Sequence, residues 1–88
     1  MEDPQIDEDR IDEAVLALMF LDLHKERDIV PDSPLWWTWK SFNWDAMGRL
    51  HAKDLIYNPV GKAKSVVLTA EGRKQCEEAF YRLFARRP

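Results

Sequence analysis

Apolar residues crowd the first third of the chain at helical spacing. Ile11, Val15, Leu18 and Leu21, with Ala14, fall on one stripe, and Leu16, Met19, Phe20 and Leu23 widen it. The pattern predicts a helix from about residues 7–9 to about Lys25, with acidic side chains in its first turns, where the helix dipole favours them. From Ala14 to Leu21 this helix is apolar almost all round. A surface helix keeps a polar face, so this one is either central to the fold or covered in part by another subunit. The pattern changes further on. Leu55–Tyr57 and Ser65–Leu68 are short β-branched and aromatic runs, and Pro59 and Gly61 stand between them as turn formers. They predict a two-stranded hairpin with Val66 and Leu68 on one face, anchored by Ile56 and Leu68. Thr69 then caps a helix running from Ala70 to about Arg86, with Cys76, Ala79, Phe80, Leu83 and Phe84 on one side.

Between the first helix and the hairpin, residues 24–33 read as a charged loop. Ser33 as N-cap and Pro34 as first helical residue predict a short helix to about Lys40 or Ser41. Asn43 is a second N-cap, and Phe42 and Met47 stand at hydrophobic-staple spacing, so another helix is predicted from Trp44 to about Asp54 with His51 turned to the core. Two helices joined by about two residues, followed by a hairpin, make a helix-turn-helix with a wing. The fold class expected is α+β, mostly α: a winged helix-turn-helix of three helices, a β-hairpin wing and a long C-terminal helix. It occupies residues 1–88 as one domain, with residues 1–6 frayed.

The stretch Leu50, Asp54-Leu55-Ile56 and Val67-Leu68-Thr69-Ala70-Glu71-Gly72 resembles the hairpin region of bacterial winged-helix regulators of the MarR and PadR type, with Asp54 where those families place glycine. Three further segments, Ile11–Leu18, Trp39–Met47 and Gly61–Thr69, resemble a family of small bacterial proteins known only as a domain of unknown function. The first resemblance implies a DNA-binding fold that dimerises through terminal helices. The second implies no activity.

The net charge of −3 hides a gradient: residues 1–32 carry −8, residues 33–64 carry +3 and residues 65–88 carry +2. An acidic whole argues against strong nonspecific nucleic-acid binding, while the basic middle keeps phosphate contacts in play. One cysteine, Cys76, excludes an internal disulfide and suits a reducing compartment. The longest apolar run is eight residues, too short to span a bilayer, and the acidic N-terminus is unlike a signal peptide, so a cytoplasmic protein is expected.

Two candidate surfaces follow. Lys62 and Lys64 at the wing tip, Lys40, and Asn43, Arg49 and Lys53 on the third helix would contact duplex DNA, mainly at phosphates. Trp36, Trp37, Trp39 and Trp44 form an aromatic segment that builds the core where buried and seats a protein partner where exposed. A homodimer through the first helix fits its apolar excess. Asp7, Glu8, Asp9, Asp12 and Glu13 read as a solvated face. His24, His51 and Cys76 match no zinc spacing, and no phosphate-binding glycine loop, nucleophile elbow or catalytic set is present. The expectation is a non-enzymatic binding domain without cofactor or metal.

Overall fold

The computed structural model describes residues 5–25 and 36–86. In chain order these form helix α1 (Glu8–Met19), a 3-10 turn (Phe20–Asp22), strand β1 (His24–Lys25), strand β2 (Trp36–Trp39), helix α2 (Trp44–Ala52), strand β3 (Ser65–Leu68) and helix α3 (Ala70–Leu83). The three strands make one antiparallel sheet in the order β1-β2-β3. The chain is thus a predominantly helical α+β fold, with α1 packed on α3 along much of its length and also on α2.

Local chemistry explains most element boundaries. Asp7 caps α1 by accepting from the Arg10 amide, Asn43 caps α2 through the Ala46 amide, and Thr69 caps α3 through the Gly72 amide. The C-terminus of α2 closes with Asp54 in the left-handed conformation, φ 60°. The amides of Asp54 and Leu55 donate to the carbonyls of His51 and Leu50, the paired bonds of a Schellman motif. The position that resembles glycine in winged-helix regulators therefore keeps the glycine conformation while carrying a carboxylate. Aspartate tolerates this region better than most residues, at a cost.

Four expectations are corrected. The helix expected from Ser33 and Pro34 to Lys40 begins outside the described residues, and where the chain is described, Trp36–Trp39 is strand β2. Its register sets Trp36, Trp37, Thr38 and Trp39 opposite Leu68, Val67, Val66 and Ser65. A local cap signal lost to the pairing of aromatic and β-branched residues across two strands. With no helix at Trp36–Trp39, the described residues contain no helix-turn-helix pair. The first helix also stops at Met19 rather than Lys25, because His24 and Lys25 pair with Trp37 and Trp36. These two residues were expected in a loop over 24–33, of which 26–33 lie outside the described residues, as do residues 1–4 of the expected frayed end. The strand expected at Leu55–Tyr57 is reduced to one bridge, Ile56 to Leu68, flanked by the bonds from the Tyr57 amide to the Val67 carbonyl and from the Thr69 amide to the Leu55 carbonyl. Finally, His51 is exposed rather than turned to the core.

The core joins Leu16 and Met19 of α1, Met47 and Leu50 of α2, Leu55, Ile56, Val66, Leu68 and Cys76. Each larger side chain contributes about 1.5–3 kcal/mol by leaving water. Ile56 and Leu68, the expected anchors, are almost fully buried, and Met47 is buried with Phe42 packed against the same cluster. Gly72 explains how α3 docks: a Cβ there would collide with the Leu55 carbonyl, the group that accepts from the Thr69 amide. The backbone after α2 and the first turn of α3 touch, and only glycine leaves room.

Two substitutions test this reading by urea unfolding. Gly72→Ala should lower stability by about 2 kcal/mol or more, because backbone rather than a flexible side chain must move. Asp54→Gly should raise it by about 0.5–1 kcal/mol by relieving the left-handed strain at the end of α2.

Candidate functional site

The sequence assigns Arg49 and Lys53 to a nucleic-acid face of α2. In the fold they lie against α1 and pair with its carboxylates. The Arg49 Nε donates to both oxygens of Asp12 at 2.9 Å, its other nitrogens reach Asp12 at 2.8 Å and Glu8 at 2.7 Å, and the Lys53 Nζ lies 3.0 Å from Asp12 and 3.2 Å from Asp9. The Asp12 side chain is 2% exposed, whereas those of Arg49 and Lys53 are 30% and 41% exposed. Burial pushes the Asp12 carboxyl up, but the hydrogen bonds and charges of Arg49 and Lys53 more than offset this and hold it below the usual carboxylate range. The bond to Asp12 raises the pKa of both Arg49 and Lys53 against their partial burial. Arg82 on α3 adds a third tie to α1 by pairing with Glu13 at 2.7 Å.

This hub corrects the solvated reading for Asp12, whereas Asp7, Glu8 and Asp9 are exposed as expected and Glu13 is half-buried. Its signal was in the spacing: Asp12, Leu16 and Met19 share one face of α1, so a carboxylate stands in line with the core. The stripe that includes Ile11, Leu18 and Leu21 is turned outward instead, at 38%, 37% and 65% exposed.

The other nucleic-acid candidates separate into two groups. The Asn43 side chain is engaged as the cap of α2. Lys40, Lys62 and Lys64 meet at one end of the sheet: the Lys40 amide donates to the Lys64 carbonyl at 2.9 Å, and its Nζ reaches the Gly61 carbonyl at 3.5 Å. Lys62 and Lys64 are exposed there.

The tryptophans also divide. Trp36 and Trp37 are half-buried in β2, and the Arg73 guanidinium lies 4.8 Å from the Trp36 ring centre and 5.7 Å from that of Phe20. The Trp37 indole N–H finds no acceptor among the described residues. Trp39 and Trp44 are about half exposed, Trp39 with the His24 ring 5.2 Å away. Between Trp37 and Trp39 in β2, Thr38 is fully buried and donates to the Met19 carbonyl.

At the far end of α1, Phe20 stacks on Phe80 at 4.7 Å and meets Tyr81 edge-on at 5.8 Å, and Phe84 lies beside Phe80. Tyr81, Leu83 and Phe84 remain substantially exposed. An open cleft of about 410 Å³ between α1, α2 and α3 is walled by Asp9, Glu13, Glu71, Glu78, Lys53 and Arg82 over an apolar floor. Its carboxylates face cations already paired with α1. Among the described residues no cluster of histidine, cysteine or carboxylate side chains is placed to hold a metal. Burial pushes the Cys76 thiol up to about 12, the environment of a packing residue rather than a nucleophile. No helix of the described residues is long and apolar enough to cross a membrane.

A family model described as a domain of unknown function, DUF6429, matches residues 7–86. An uncharacterized protein of Sinorhizobium fredii (strain NBRC 101917 / NGR234), y4hR, is 51% identical over 82 residues, covering 93% of this chain and 99% of that protein. No solved structure matches.

Asp12→Asn should cost about 2 kcal/mol at neutral pH, less than a fully enclosed ion pair because Arg49 and Lys53 reach water. The folded pKa of Asp12 is depressed, so its contribution is complete above the unfolded carboxylate value of about 4 and is lost as pH falls through the folded value. Denaturant midpoints across this acid range should therefore fall less steeply in Asp12→Asn than in the parent chain.

Proposed function

We propose that this chain, which belongs to the DUF6429 family, is a non-enzymatic protein-interaction module that receives its partner on the outward face of α1 and the adjoining end of α3. The observation that carries this reading is how the fold spends its charge. Arg49 and Lys53, the cations a recognition helix would offer to DNA, neutralise the acidic first helix. Ile11, Leu18 and Leu21, which that helix would be expected to bury, keep part of their surface in water, as do Tyr81, Leu83 and Phe84 at the end of α3. Large apolar side chains left outside a small core are the material of which interaction sites are made. The exposed Trp39 and Trp44 offer a smaller second contact.

A second reading keeps the wing. Lys40, Lys62 and Lys64 stand together beside the exposed ring of Trp39, and the bridge of Ile56 to β3 gives the loop between them the form of a shortened wing next to α2. Three lysines would neutralise about three phosphates, so any duplex affinity would be weak and its salt dependence shallow.

A photo-reactive residue at Leu18, with a matched control at Lys74, separates the readings when combined with anisotropy of a labelled duplex at about 50 and 200 mM salt. The expected result is a protein adduct from position 18 and not from position 74, with no duplex binding at tens of micromolar. Duplex binding that Lys62→Glu/Lys64→Glu abolishes, with no adduct from position 18, would overturn the interaction reading in favour of the wing.

A further inference from the structure

We infer that the outer face of the three-stranded sheet binds single-stranded nucleic acid, stacking bases on Trp39 and Tyr57 and holding phosphates with Lys40, Lys62 and Lys64. The site is separate from the α1 and α3 surface proposed above.

Strand register decides which side chains share that face. Thr38, Val66, Leu68 and Ile56 are buried on the side of the core. Side chains alternate along a strand, so Trp37 and Trp39 of β2 and Ser65 and Val67 of β3 stand on the other side. Tyr57 joins them. Ile56 bridges Leu68 and the Tyr57 amide donates to the Val67 carbonyl, which places Tyr57 opposite Val67. On the far strand His24 lies opposite Trp37, and its ring is 5.2 Å from that of Trp39. One row across the outer face therefore reads His24, Trp37, Val67 and Tyr57, with Trp39 the next outward residue of β2.

Burial is graded as a stacking surface requires. Trp37 and Val67 are half-buried, whereas Trp39 and Tyr57 remain 48% and 53% exposed. Every base has a π face, so exposed rings held by a rigid sheet take successive bases without reading their order.

Charge supplies the second half of the site. The ladder runs on past Trp39 and Ser65, where the Lys40 amide donates to the Lys64 carbonyl at 2.9 Å and the two lysines stand opposite each other. Like charges directly opposite across a sheet weaken the pairing. Among the described residues none of Lys40, Lys62 and Lys64 has a carboxylate partner, and the Lys40 Nζ reaches only the Gly61 carbonyl at 3.5 Å. A bound phosphate relieves that repulsion. The exposed Asp22 precedes β1, so β2 lies between it and the lysines on the β3 side. Anionic links beside flat apolar rings are what one nucleic-acid strand carries at regular intervals. A duplex keeps its bases stacked on one another, while unpaired bases are free to stack on aromatic side chains.

Anisotropy of a labelled oligothymidylate of about 12 nucleotides, titrated with the full chain at about 50 and 200 mM salt, tests the proposal. The expected result is binding in the range of roughly 10 μM at the lower salt, tighter than a duplex of the same length. Three phosphate contacts on a single strand give a log–log salt slope of about −2, so affinity should fall roughly 20-fold at the higher salt. Trp39→Ala and Tyr57→Ala should each weaken binding roughly tenfold, and Trp39→Phe should restore most of it. Lys62→Glu/Lys64→Glu should abolish it. All four side chains are exposed, so helical circular dichroism should stay at the parent value in every variant. No binding at hundreds of micromolar would overturn the proposal. So would an abasic strand bound as tightly as oligothymidylate, or indifference to both alanine variants, since either describes a plain anion site. Duplex bound more tightly than the single strand would overturn it in favour of the wing. Each of these failures leaves the α1 and α3 reading standing, because the Leu18 adduct tests that surface independently.

Discussion

Asp12 has almost no access to water, and a carboxylate in that position survives only if cations come to it. Arg49 and Lys53 supply them from α2, and Glu8 and Asp9 share the same two heads from the first turn of α1. This fixes which face of α1 meets α2 and in what register, since one turn of slip would leave a buried charge unpaired. The apolar contacts of Leu16 and Met19 with Met47 and Leu50 then follow from the same alignment. A purely hydrophobic seam would have been about as stable, but less particular about its register.

The same pairing shapes what the surface can do. The steep charge gradient along the chain suggests an acidic head and a basic body available to partners. Folding brings the two together, so much of the gradient is spent inside one molecule. What remains outside includes a short lysine-bearing loop, two half-exposed tryptophans and partly exposed apolar side chains on α1 and α3. Removing α2 from the list of charged docking surfaces changes the balance from phosphate recognition toward apolar contact, and that shift supports the reading of the domain as an interaction module.

The second constraint is the backbone contact between Gly72 and Leu55. It lets α3 begin directly on the chain leaving α2, with Asp54 turned left-handed to make the corner and the Thr69 hydroxyl donating to the Asp54 carbonyl. Three short-range devices (a Schellman motif, an N-cap and a glycine) thus hold β3 between β2 and the Ile56 bridge. The sheet is small, and its central residue Thr38 is tied to the end of α1 through the Met19 carbonyl.

Local chemistry was legible in the chain itself. Asn43 and Thr69 as caps, Ile56 and Leu68 as anchors, the alternation of Val66 and Leu68, and the packing role of Cys76 all depend on neighbours a few residues away or on simple periodicity, and each is found in the fold. What tertiary structure decided were the choices between faces and partners. Trp36–Trp39 became a strand because β3 and β1 were there to pair with it, a long-range gain that outweighed a local helix start. The apolar excess of α1 left two faces to choose from, and the buried one was selected by where Arg49 and Lys53 could reach Asp12. A sequence carries the spacing of those charges, but whether they meet depends on how two helices cross, and that is settled only when the core packs.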